Sequence, residues 1–296
     1  MQIRNPIEWS YDQIRLTASA VGSTGRGVRG AAAAPAVRRI TIGDLRDALA
    51  RGVDDFGAYR ADVVFICVIY PIVGLLLARL VVGYDVLPLL FPIASGFALL
   101  GPVAAVGLYE ISRRREAGEA VTWADAFGVV RSPSYGAIAL LGLLLLAIFL
   151  LWLGAAWAIY ALTLGPGQPA SVAAFLRDVL TTPAGWALIV FGNGMGFLFA
   201  VLVLAISVVS FPLLLDRDVG LVAAVQTSIR AVAANPGTMA VWGLIVAGGL
   251  VLGSLPAFLG LVIVMPVLGH ATWHLYRKLV VAPVSRVGGQ GAVNRP

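Results

Sequence analysis

The stretch from Gly136 to Leu162, GAIALLGLLLLAIFLLWLGAAWAIYAL, holds 27 consecutive residues without a charge. As an α-helix rising about 1.5 Å per residue it is roughly 40 Å long, more than the ~30 Å hydrocarbon core of a bilayer. It continues to Leu164 and closes at Gly165-Pro166-Gly167, inside a segment from Ser132 to Leu176 that has no charged residue at all. Such a segment is a membrane span, and composition extends the conclusion to the whole chain. Of 296 residues, 59% are apolar and 12% charged, and the mean hydropathy is +0.92. Soluble domains carry about a quarter charged residues. A soluble globule is excluded, and so is disorder over most of the length, which needs high charge and few large apolar residues.

Five further segments have the required length and character. The first span reads from Ala61 to Val82 and the second from Val86 to Ile111, a hairpin across Gly83-Tyr84-Asp85. The fourth reads from Ala184 to Leu215, long enough to need tilt or a kink near Pro212. The fifth and sixth share the uncharged stretch from Ala231 to Tyr276, divided at Gly253-Ser254-Leu255-Pro256. Prolines 71, 92, 102 and 266 fall within spans one, two and six, where each removes a backbone donor. A short outer helix is expected around Ser171 to Thr181. The expected fold is therefore all-α, a polytopic membrane protein with six transmembrane helices.

Charge supplies direction. Nineteen of the 21 Lys and Arg residues fall on one side of these spans, with only Arg79 and Arg177 on the other. The positive-inside rule then places both termini in the cytoplasm and the protein in a bacterial inner membrane. Residues 1–39 read as a disordered cytoplasmic arm, 40–281 as the membrane domain and 282–296 as a cytoplasmic tail. Trp273 and Tyr276, just before Arg277 and Lys278, read as an interfacial aromatic belt. The net charge of +6 is thus a feature of topology and lipid contact, not a nucleic-acid signal. The single cysteine, Cys67, permits neither an internal disulfide nor a Cys-based metal centre.

Three segments ahead of spans one, three and five carry apolar residues at helical spacing: Ile42, Leu45, Leu49, Val53 and Phe56; Trp123, Phe127 and Val130; Leu221, Val225, Ile229 and Val232. Thr41 with Asp44, and Thr122 with Asp125, have capping-box spacing, and Asp218 is placed to cap the third. Pro133 and Pro236 stop the second and third. The expected unit is a cytoplasmic interfacial amphipathic helix followed by a membrane hairpin, used three times.

Several strings, LFPIASGFALLGPVAAVGLYEISRRREAG, RSPSYG, GNGMGFLFA, SFPLLLDRDVG and GHATWHLYRK, resemble the family called domain of unknown function 2189, predicted bacterial integral membrane proteins. The resemblance covers roughly Ile40 to Val281 and implies no established activity. Some members of that family are labelled cytochrome c oxidase subunit I. A haem-copper core needs about six histidines, and this chain has only His270 and His274, so a self-contained oxidase is excluded.

His270 and His274 share a helical face, the spacing at which two imidazoles reach one ion if Glu110 or Asp216 supplies a third ligand. Their other reading is a helix–helix hydrogen bond. Glu110 with Arg113, Arg114 and Arg115, and Asp216 with Arg217, end spans two and four, where they either mark the membrane boundary or build an ion-pair network at the mouth of a polar path. Arg113 to Arg115 would attract anionic lipid headgroups. Gly192, Asn193 and Gly196 suit close helix packing with an amide across the contact, or a substrate route. No phosphate loop, zinc-protease, nucleophile-elbow or dinucleotide motif is present. The expected protein is a non-enzymatic scaffold or accessory membrane component without a cofactor, in contact with lipid and with other subunits or copies of itself. The alternatives are a carrier with a polar intramembrane path and an accessory subunit of a redox complex.

Overall fold

The computed structural model describes residues 34–58, 72, 74–76, 79 and 87–281. The first expected span, Cys67, most of the arm and the tail lie outside the described residues. Within them the chain is helical: α1 (Ile42–Ala58), α2 (Leu87–Glu116), a 3-10 helix (Trp123–Arg131), α3 (Tyr135–Thr163), α4 (Val172–Thr181), α5 (Pro183–Asp216), α6 (Leu221–Ala234), α7 (Pro236–Ser254) and α8 (Leu261–Leu279). Of these, α2, α3, α5 and α7 are long and apolar enough to cross a membrane.

Local chemistry explains the breaks. In α2 the helical pieces Leu90–Phe97, Gly101–Ala104 and Val106–Glu116 are joined by tighter turns, with Pro92 and Pro102 in the first two. In α5 the helix interrupts at Val208–Val209, one turn before Pro212, whose missing N–H would have bonded there. Ser228 Oγ accepts the freed Val209 N–H at 3.2 Å. The short helix α4 starts at its N-cap Ser171, whose hydroxyl accepts from the Ala174 N–H.

The third span buries one stripe, Ala137, Leu141, Leu145, Ile148, Trp152, Ala156 and Tyr160, at steps of three and four. The rest of its surface is large and apolar: Leu143, Leu146, Leu150 and Leu151 are exposed. Helices α5 and α7 likewise leave Phe191, Phe197, Leu244 and Leu252 uncovered. Uncovered apolar faces of this extent are what lipid would cover.

The last helix differs from the sixth span expected from sequence. It is too polar to rank with the four apolar helices, and Gly269 through Tyr276 are buried without interruption. Protein from α1, α2, α7 and the end of α5 covers this second half, while Ile263 in the first half is exposed. This is why it tolerates His, Thr, Trp and Tyr. Trp273 and Tyr276 are accordingly core residues and not an aromatic belt: Trp273 Nε1 donates to Glu116 at 3.0 Å, and the Tyr276 hydroxyl to Asp216 at 2.6 Å. The α7–α8 hairpin is tight, and a Cβ on Gly253 would lie 2.8 Å from Leu261.

The three apolar stripes ahead of the hairpins do not each point one way. In α1 the buried residues are Leu45, Ala48, Gly52 and Asp55, while Ile42 and Val53 are about half exposed, at 49% and 53%. A Cβ on Gly52 would come within 2.7 Å of the backbone of Ala271 and Val267, so α1 crosses α8 at a near-backbone contact. In the second segment Val121, Ala126 and Val129 are buried, and Phe127 and Val130 are exposed. In α6 the buried face is Ala223, Ala224, Thr227, Ser228 and Ala231. Both Thr-led capping boxes form. Asp218 does not cap α6, which begins at Gly220 with no side-chain cap.

Ahead of α1 the chain is extended and stitched to the end of α8: Val37 pairs with Val280, the Arg38 N–H donates to the Leu279 carbonyl at 2.9 Å, and the Val281 N–H to that of Ala36. Asn235 clamps the same segment, accepting from the Ile40 N–H at 2.8 Å and donating to the Arg38 carbonyl.

Candidate functional site, a buried polar junction

The close crossing of α1 on α8 brings Asp55 into the core, where it is 4% exposed. Its Oδ2 accepts from the Ser112 hydroxyl at 2.6 Å and from His274 Nε2 at 2.9 Å. Its Oδ1 pairs with Arg115. Because the Ser112 proton goes to Asp55, His270 Nδ1 is the donor to Ser112 Oγ, at 2.7 Å. Three helices thus meet at one carboxylate. Burial alone would raise the Asp55 carboxyl above the ordinary aspartate value, but the hydrogen bonds from His274 and Ser112 outweigh it and hold the group below that value.

The histidine pair therefore converges on Asp55, and neither Glu110 nor Asp216 completes it as a third ligand. Among the described residues no group of three or more His, Cys, Asp or Glu is arranged to hold a metal ion. The residue types of a serine hydrolase meet here in a different order. In that chemistry the imidazole takes the serine proton and the carboxylate orients the imidazole. Here Ser112 donates directly to Asp55, and all of these groups are buried. The wiring joins helices and does not activate a nucleophile. His270 Nε2, wholly buried, makes no hydrogen bond of ordinary geometry among the described residues.

The remaining charges form a collar around the end of α8. Arg277 bridges Glu116 of α2 at 3.0 Å and Asp216 of α5 at 3.5 Å. Lys278 reaches Asp44 and Asp47 of α1 at 3.2 and 2.8 Å. The Arg217 guanidinium donates to the Val281 carbonyl at 3.1 and 3.2 Å, and to its neighbour Asp216. Arg277 does join the ends of α2 and α5, but through Glu116, which lies outside the expected cluster of Glu110 and Arg113 to Arg115. Glu110 is buried and belongs to a second group, taking hydrogen bonds from Arg113 and Arg114. Arg115 is turned to Asp55 instead of toward lipid.

Asn193 lies apart from all of this. It is exposed on α5 and donates to the Ile189 carbonyl of its own helix at 2.7 Å, so among the described residues the expected amide across a helix contact is not made. Of its glycine neighbours, Gly196 packs on Trp152, and Gly192 meets nothing among the described residues. Sequence reading missed Asp55 and Ser112. The available signal was the small pair Ala48 and Gly52 at four-residue spacing, on the face that also carries Asp55.

Helices with uncovered apolar faces around a core knit by buried polar groups define an integral membrane protein. Residues 90–216 match the family described as predicted integral membrane protein, domain of unknown function 2189. That bears out the family resemblance over α2 to α5, a narrower stretch than the strings suggested. No curated protein and no solved structure matches the chain.

Proposed function

We propose that this chain is a non-enzymatic, multi-pass protein of the bacterial inner membrane that scaffolds or accompanies other membrane components and contacts anionic lipid at its charged end. One observation carries the reading: the ionisable residues that a carrier would need are committed to each other. Asp55, His270 and His274 are buried and engaged between helices, Glu110 is buried and held by Arg113 and Arg114 of its own helix, and Asn193 faces outward.

The topology proposed with it has six spans and both termini cytoplasmic. Val37 and Val280 are paired, which favours an even number of crossings between them. Four apolar helices, α8 sheltered by protein and a first span within 61–82 satisfy that parity, and the bias in Lys and Arg gives the side. The uncovered apolar faces of α3, α5 and α7 are available to lipid, a partner subunit or a second copy.

The test is transport. Full-length protein reconstituted in vesicles should give no ion or small-solute flux above that of empty vesicles. Flux that is abolished by Asn193→Leu or His270→Gln would overturn the scaffold reading in favour of a carrier.

A further inference from the structure

Where α2 ends and the chain turns into α3, a cavity of about 290 Å³ opens between Glu110, Arg113, Arg114, Arg131 and Ser132, closed on one side by Leu215. Buried Glu110 acts as its template. One carboxylate oxygen accepts from Arg113 Nε at 2.7 Å, and the other from Arg113 Nη2 at 2.8 Å and Arg114 Nε at 2.6 Å. Two guanidinium groups are thereby held side by side, with Arg113 Nη1 and Arg114 Nη2 left over. Gly128 makes room for them, since a Cβ there would lie 2.7 Å from Arg114 Nη2.

The charge does not cancel. Three arginines line the cavity against one carboxylate, and counting Asp125, which takes Arg114 Nη1 at 2.6 Å from outside the lining, the lining and its direct partners keep one positive charge in excess, with Glu119 acting on Arg113 and Arg114 from farther out. Arg131 is exposed and forms no ion pair among the described residues. Ser132 Oγ accepts from the Ser134 N–H, so its own proton remains to be donated. The site also lies where the charged end of α2 meets the uncharged start of α3.

We propose that this cavity is a binding site for a phosphate-bearing anion. Forked guanidinium donors beside a hydroxyl suit phosphate oxygens. The volume is just below the range of about 300–1,000 Å³ typical of small-molecule pockets, which fits a phosphate head and not a large cofactor. The phosphate is either that of an anionic phospholipid or free phosphate. The proposal rests on the lipid contact proposed above only for the first source, and it moves that contact from Arg115 to Arg131 and Ser132.

The experiment uses delipidated full-length protein in mild detergent, titrated with phosphatidylglycerol, phosphatidylcholine and inorganic phosphate and followed by native mass spectrometry. Phosphatidylglycerol should be retained over phosphatidylcholine. Arg131→Gln should weaken retention about fivefold and Arg131→Glu roughly 30-fold, at about 1 kcal/mol per charge. Arg230→Gln, another exposed arginine outside the cavity, should have no effect. Displacement of the lipid by inorganic phosphate, or binding of phosphate alone, assigns free phosphate to the site; lipid that phosphate does not displace assigns the headgroup. The proposal is overturned if neither probe binds, if both Arg131 variants bind as wild type with unchanged melting temperature, or if Arg230→Gln loses as much as Arg131→Gln. None of these outcomes alters the vesicle flux that tests the scaffold reading.

Discussion

Asp55→Asn is the most informative single change, because it keeps the shape of the side chain while removing the charge on which three helices converge. Oδ2 accepts two hydrogen bonds and Oδ1 faces Arg115. If the amide oxygen takes the Oδ2 position, its NH₂ meets the Arg115 guanidinium, donor against donor. If it takes the other, Ser112 and His274 lose their acceptor. In the first case the Ser112 and His274 bonds lose the charge that strengthens them, and in the second they lose their acceptor, at about 1.5–3 kcal/mol either way. The side chain of Arg115 is 35% exposed, so its pairing adds at most ~1 kcal/mol after solvent screening. The expected loss is about 2–4 kcal/mol, or roughly 4–16 °C in apparent melting temperature at about 2–4 °C per kcal/mol. Intrinsic fluorescence of buried Trp242 and Trp273 reports the transition on heating in detergent. A cycle with Ser112→Ala should be non-additive by about 0.5–3 kcal/mol. A melting temperature within about 1 °C of wild type, or strict additivity with Ser112→Ala, would refute the shared-acceptor account.

Three further outcomes follow from the same geometry. The folded Asp55 carboxyl lies below its ordinary value of 3.8, so its contribution is complete above that pH and is lost as pH falls through the lower folded value. The difference in melting temperature between wild type and Asp55→Asn should therefore hold between pH 8 and 5 and narrow below about 4, and a gap that widens on acidification would contradict the sign. Gly52→Leu must push α1 off the Ala271 backbone, at about 1–3 kcal/mol or more, and limited proteolysis should then cut within α1, which stays protected in wild type. Asn193→Leu, on an outward face, should change stability by no more than about 0.5 kcal/mol, and a large loss would mean that the amide has a partner beyond its own helix.

The apolar helices were legible in the sequence because length and lack of charge suffice to find them. Span ends for α3 and α7, the break before Pro212 and the cap at Ser171 all follow from local chemistry. What was not legible is which face of each helix meets protein. The amphipathic rule assumes water opposite the core, and here the uncovered sides of α1 and α6 mix charged or polar residues such as Arg51 and Arg230 with large apolar ones. Large residues such as Val53 and Ile229 therefore face out, and small or polar ones such as Gly52, Asp55, Thr227 and Ser228 face in. The same inversion hid the junction. His270 and His274 stood out as a pair, but their partner sits 215 residues before His270, on a helix whose acidic residues resemble a solvated face. Neither distance nor sign in the sequence selects Asp55 over Asp54 or Asp47.

The stitching of residues 36–38 to Leu279, Val280 and Val281 also sets an order of events during synthesis. Of the described helices α1 leaves the ribosome first, yet the one that shelters its buried aspartate is the last to be made. At about 5–20 residues per second the interval is roughly 10–50 s. Throughout that time Asp55 has no His274 and Gly52 no Ala271 to rest on, while Ile42 and Val53 remain free to lie against the headgroups. Docking of α1 is then the closing step of assembly, and it reports that every span between has been inserted.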